Sequence, residues 1–146
     1  MYTSSSSNSV TSGVQGPCPN GWHVPSNAEW TILTNYVSSQ PSYHFSMTAT
    51  YIAKSLASNT NWTSASANKI YVVGNTTYPN NATGFSALPA GYRSSSALGF
   101  GSNTYFWSAT ESGNSAMYRA MKYNNEEVSY SSNSKHYGQS IRCLKD

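Results

Sequence analysis

Three histidines, two cysteines and five carboxylates are all that this 146-residue chain offers to proton transfer, thiol chemistry or metal coordination. His23 lies between Trp22 and Val24 in a proline-flanked stretch, and a histidine wedged between apolar neighbours reads as structural rather than as a base or a ligand. His44 and His136 lack the i, i+4 or Cys-x-x-Cys spacing that gathers zinc ligands. Glu126 and Glu127 read as an exposed turn, and no Ser-His-carboxylate set stands at a recognisable spacing for general acid–base work. A redox-active cysteine needs an accessible thiol of low pKa, yet Cys143 falls in an apolar strand pattern and Cys18 in a proline-rich loop. The expectation is a non-catalytic protein without cofactor or metal.

What the chain does offer is contact chemistry. From Arg93 to Arg142, bulky anchors (Phe106, Trp107, Arg119, Met121, Tyr123, Val128) stand among positions filled almost entirely with Ser, Asn, Tyr and Thr. Tyrosine supplies a large, rigid, amphipathic contact area, and Ser and Asn supply adaptable hydrogen bonds, the mixture used by antibody-like binding loops. Only 9% of residues are charged, and Lys54, Lys69, Arg93, Arg119, Lys122, Lys135, Arg142 and Lys145 are scattered without a cluster, so a nucleic-acid stripe is not expected. No run reaches the roughly twenty apolar residues of a membrane span, and no basic-then-apolar leader follows Met1.

The elements that must position this tract can be read from pattern. The length suits one domain, with a loose segment at residues 1–15 and a folded unit at 16–146. Gly16 to Pro25 reads as a rigid loop packed by the Trp22 indole. Ser26-Asn27-Ala28-Glu29 matches a capping box, and Trp30, Leu33 and Val37 follow at helical spacing, with Ile32 and Tyr36 widening the stripe. A helix over 27–39 is predicted, ending at Gln40-Pro41. A second helix is predicted from Thr48 or Ala49 to Ala57, and a short strand at Ile70–Val73 inside a polar, turn-rich stretch.

From Gly84 the pattern turns to β: Thr104–Thr110, Ala116–Tyr123, Val128–Tyr130 after an Asn124-Asn125 turn, and Ser140–Leu144. In the second of these, Met117, Arg119, Met121 and Tyr123 share one face, while Tyr118, Ala120 and Lys122 share the other, expected to face solvent. Arg119 and Arg142, set between apolar residues, are expected to pair internally or to span the sheet with buried stems. Helices first and an antiparallel sheet last make an α+β domain. Cys18 and Cys143 stand near opposite ends; a bridge between them would contribute about 5 kcal/mol by loop closure, but two free buried thiols are an equal reading of the spacing.

Several motifs taken together carry a resemblance. CPNGWHVPSNAEW, AKSLAS with NW just after it, GFSALPAGYR, FWSATES and QSIRCLKD, spread from Gly16 to Asp146, closely resemble the Fibrobacter succinogenes major paralogous domain family of bacterial surface proteins. That family is similar in arrangement to the C-type lectin fold, in which an early cysteine beside the first helix pairs with one in the last strand. The resemblance implies a Cys18–Cys143 disulfide and export to the surface of a Gram-negative cell or a phage particle. Calcium-dependent sugar-binding lectins carry Glu-Pro-Asn or Gln-Pro-Asp and Trp-Asn-Asp. Here Gln40-Pro41 is followed by Ser42, Pro79 is preceded by Tyr78, and Trp107 is followed by Ser108-Ala109, so a calcium cage is not expected.

A second resemblance concerns the Ser/Asn/Tyr tract. Some proteins of this family resemble variable targets of diversity-generating retroelements, whose reverse transcriptase mutates adenines in templates rich in AAC codons, giving Ser, Tyr, Thr, His, Asp and Ile from Asn. The positions this implies for a diversified ligand surface are Ser94, Ser95, Ser96, Ser102, Asn103, Tyr105, Asn114, Ser115, Tyr118, Ala120, Lys122, Asn124, Asn125, Ser129, Tyr130, Ser131, Ser132, Asn133, Ser134, His136 and Tyr137. Lys122 fits a mutated AAC codon less easily. Tyr105, Tyr118, Tyr130 and Tyr137 are the expected anchors, with Ser and Asn as an adjustable rim. The expected ligand is a protein or glycan on another cell surface, met by a module of a larger surface or virion assembly, with no nucleic acid and no membrane insertion. The alternatives are an invariant structural or adhesive module of a surface or pilus protein and, more remotely, an enzyme of the sulfatase-modifying type.

Overall fold

The computed structural model describes residues 13–146, and the expected loose segment falls largely on residues 1–12, outside the described residues. Val14, placed in that segment on sequence grounds, packs against Cys18 and Val24, and its carbonyl accepts the Val24 N–H at 2.8 Å. Strand β1 (Trp22–His23) follows, so the proline-flanked stretch is not loop throughout; the Trp22 indole is exposed, and His23 is buried in its place.

Helix α1 (Asn27–Ser39) has the predicted bounds, and both halves of its capping box are formed: the Ser26 hydroxyl accepts from the Glu29 N–H, and the Glu29 carboxylate accepts from the Ser26 N–H. The second helix is corrected to one turn, α2 (Ala53–Leu56). Its N-cap, Ile52, has no side-chain oxygen to hold a first turn, and Ser46, upstream of it, takes a positive φ of 62°. No strand forms at 70–73. Val72 and Val73 are fully buried there through turns, which leaves their backbone bonds to a scattered set of partners.

That long stretch is tied down by one cation. Lys54 of α2 is fully buried, and its ammonium donates to the Val72 and Asn75 carbonyls and to Asn80 Oδ1 at 2.9 Å. Burial holds its pKa down to about 8. Gly74 N–H donates to the Tyr123 carbonyl at 2.7 Å, and a Cβ at Gly74 would lie 2.2 Å from the Thr63 carbonyl oxygen, so only glycine allows that approach.

The β part comprises a small hairpin, β2 (Tyr92–Arg93) with β3 (Ala97–Leu98), and a three-stranded antiparallel sheet, β4 (Asn103–Ser112), β5 (Ser115–Lys122) and β6 (Ser129–Ser134), in the order β4-β5-β6. The predicted last strand shrinks to β7 (Leu144–Lys145), which pairs with β1, while Ser140 bridges Phe106 on the free edge of β4. Trp30 of α1, Phe85 and Phe106 of β4 meet with ring centroids 5.7–6.0 Å apart, at the centre of a core completed by Val37, Ile52, Leu56, Val73 and Met121. A second cluster surrounds the Cys18–Cys143 disulfide, which links residues 125 apart in sequence. The architecture is α+β, with helices before antiparallel sheets. Among the described residues no helix is long and apolar enough to cross a membrane.

Candidate ligand-binding face

Register decides which side chains the sheet presents together. Paired residues share a face, and Tyr105 pairs with Ala120, Trp107 with Tyr118, Asn103 with Lys122, Tyr118 with Ser131 and Ala120 with Ser129. One face therefore carries Asn103, Tyr105, Trp107, Tyr118, Lys122, Ser129, Ser131 and Asn133. The other carries Thr104, Phe106, Arg119, Met121 and Tyr130. The second face packs on α1, where Arg119 donates to Asn27 Oδ1 at 2.5 Å and to Thr31 Oγ1 at 2.9 Å, the internal pairing expected of it.

The first face holds a continuous run of rings. Tyr137 lies 6.0 Å from Tyr92 in a near-parallel stack; Tyr92 meets Tyr105 edge-on at 5.1 Å, Tyr105 meets Tyr118 at 5.4 Å, and Tyr118 meets Trp107 at 6.4 Å. These offset and edge-to-face arrangements are the favoured ones for aromatic pairs and fix each ring in place. Every ring is half-buried, so each keeps an open edge or face. Desolvation raises the pKa of Tyr105, and the neighbouring Tyr118 and Tyr92 raise it further, so its phenol stays protonated as a donor.

Three sequence expectations are corrected here. Ala120 does share a face with Tyr118 and Lys122, but it is 1% exposed rather than outward-facing. It lies opposite Tyr105 and two residues from Tyr118, and a methyl set between two such bulky residues is covered by them. Tyr130 is 67% exposed but on the helix side of the sheet, with the Arg119 guanidinium 4.9 Å from its ring centroid, so it does not join Tyr105, Tyr118 and Tyr137. Ser132 and Ser134 share the side of Tyr130, by the pairings Met117 with Ser132 and Ser115 with Ser134.

The other positions frame the ring face or lie apart from it. Ser94, Ser95 and Ser96 form the tip of the β2–β3 hairpin, Asn114 the tight turn into β5, and His136 the turn after β6. Asn124 and Asn125 form the turn after β5, where the Asn125 carbonyl accepts from Val73 N–H. Ser102 turns its hydroxyl to Thr63 Oγ1, 3.1 Å away. Tyr92 is the residue that sequence reading passed over: it links Tyr137 to the rest, and the one signal for it was its place in the Gly91-Tyr92-Arg93 motif.

Comparison with family models matches residues 1–145 to the Fibrobacter succinogenes major domain. The chain belongs to that family. No curated protein and no solved structure matches it. This Fibrobacter succinogenes major domain also carries a buried ionic set away from the ring face. His23 Nε2 lies 2.9 Å from Glu29 Oε1 and Nδ1 lies 2.5 Å from Asp146 Oδ1, tying the start of α1 to the residue beyond β7. Desolvation pulls the imidazole pKa down, but the bonds to Asp146 and Glu29 and the attraction of both carboxylates outweigh it, so the pKa is raised above 6.5. Among the described residues no group of three or more His, Cys, Asp and Glu is placed to hold a metal ion.

Proposed function

We propose that this domain is a non-catalytic receptor module that binds a protein or glycan of another cell surface through the β4–β5–β6 ring face. The observation that carries the reading is the unbroken series Tyr137, Tyr92, Tyr105, Tyr118 and Trp107, bordered by Lys122, Ser129, Ser131 and Asn133. Rings already held by one another lose little freedom on binding, and their hydroxyls satisfy polar ligand groups that would otherwise be desolvated without a partner. The scaffold is read as C-type lectin-like, supported by the early cysteine beside α1, its bridge to the C-terminal segment and the pairing of the first strand with the last. The disulfide supports an extracellular place, at a cell surface or on a virion, within a larger assembly.

The serine, asparagine and tyrosine positions on this face are read as one draw from a diversified set. That reading is favoured over an invariant surface module because the uniform Ser/Asn/Tyr alphabet spans both strand and turn positions while Phe106, Arg119 and Met121 beneath it are buried. The test is binding of labelled domain to glycan arrays and to intact cells. Saturable binding is expected, weakened about 30-fold or more by Tyr105→Ser with Tyr118→Ser, and unchanged by Tyr130→Ser. Undiminished binding by the double variant overturns the assignment. In the encoding DNA, the diversified reading requires a nearby reverse-transcriptase gene and a near-copy of codons 93–142 that differs only at adenines; without them the module is invariant.

A further inference from the structure

Among the described residues, nothing covers one apolar side of helix α1. Ile32 and Tyr36, one turn apart, are 54% and 57% exposed, although the stripe of α1 was expected to carry them into the core. They form one wall of a groove of about 510 Å³, whose opposite wall is Arg142, Cys143 and Leu144 and whose floor includes Trp30 and Phe85. None of the residues lining the groove belongs to β4, β5 or β6 or to the tyrosine series, so occupying it leaves that series open.

Its electrostatics are one-sided. Glu29, which also lines it, has its carboxylate engaged by the Ser26 N–H and by His23. Arg142 is exposed, lies with its guanidinium 4.5 Å from the Phe85 ring centroid, and takes part in none of the ion pairs formed among the described residues. An apolar groove with one available guanidinium at its rim matches an apolar side chain next to a carboxylate, since Arg binds carboxylates through a two-pronged donor set. Shape decides between a peptide and a lipid tail. A small-ligand site encloses most of its ligand, whereas this groove is open along both sides, with Ile32 54%, Tyr36 57% and Leu144 43% exposed and Arg142 exposed beside Leu144.

We infer that the α1–Arg142 groove docks a peptide segment of a partner protein, bearing an aliphatic or aromatic anchor within a residue or two of an Asp or Glu. The mode is a side chain seated on the floor formed by Trp30 and Phe85, with the acid on Arg142. It does not rest on the function proposed for the tyrosine face.

The experiment is panning of a random 12-residue peptide library on the intact, oxidised domain, followed by titration of the enriched peptides. Enrichment of an apolar residue beside an acidic one is expected. The enriched peptides should bind about 10-fold more weakly to Arg142→Gln and to Ile32→Ser, whose melting temperatures match the parent, and equally to Tyr105→Ser with Tyr118→Ser. Enriched sequences without an acidic residue, or binding indifferent to both groove variants, overturn the inference. So does saturable binding of dodecanoate at Arg142 with no peptide enriched, which would make the groove a lipid site.

Discussion

Lys54 and His23 show how few charges this domain buries and how each is held. The Lys54 ammonium has no carboxylate partner; it is kept in place by two carbonyls and an amide oxygen drawn from the turn-rich stretch. Lys54→Met would leave the Asn75 carbonyl and Asn80 Oδ1 without this donor, while the Val72 carbonyl keeps the Asn75 N–H, and a loss of about 3 kcal/mol is expected by urea unfolding, with the ring face intact as read by tyrosine NMR shifts. His23 is a proton-linked tie. Its pKa is raised in the fold, so its contribution is fully present below about pH 6.5 and is lost as pH rises through the folded value. Melting temperature should fall across that window in the parent and stay flatter in His23→Gln; a parallel fall in both would remove His23 as the cause.

At the level of elements, legibility followed local physics. Helix α1 was readable because Ser26 and Glu29 satisfy backbone donors within four residues of one another, whatever the rest of the chain does. Ser26→Ala removes an accepting hydroxyl that is fully buried, and about 1–2 kcal/mol should be lost in denaturant titration. Strands β4 and β5 were readable because aromatic and small residues alternate along them. The Ile70–Val73 run misled because apolarity specifies burial and not backbone pairing; Val72 and Val73 are buried without a ladder. Burial of Ala120 and the sidedness of Tyr130 were hidden for a related reason. Alternation divides one strand into two faces, but which neighbours cover a methyl, and where β6 joins β5, depends on pairing at a distance. Strand β1 and the shortened β7 exist only through each other, so neither has a pattern of its own.

At the level of the whole molecule, the Cys18–Cys143 bridge joins segments 125 residues apart and sits beside the β1–β7 pair and the His23 tie. The spacing alone left free thiols open, and the family motifs were what favoured the bridge. Closing so long a loop restricts the unfolded chain and is worth about 3–5 kcal/mol. Reduction should lower the melting temperature by roughly 10 °C or more in calorimetry without changing the wavelength of tryptophan emission in the native state at 25 °C. A shift in emission on reduction would mean that the bridge maintains the Trp30 core as well as the chain ends.

Strand β6 works as a sentence read from two sides. Ser129, Ser131 and Asn133 are legible to a visitor at the ring face, while Tyr130, Ser132 and Ser134 are legible to the helix side, where Arg119 lies. Any process that rewrites the strand letter by letter spends half its edits on recognition and half where the ring face does not read them. The vocabulary available to a ligand is therefore smaller than the count of polar letters suggests, and a deep mutational scan of β6 should alternate, residue by residue, between loss of binding and indifference, Tyr130 and Ser132 being exposed on the helix side.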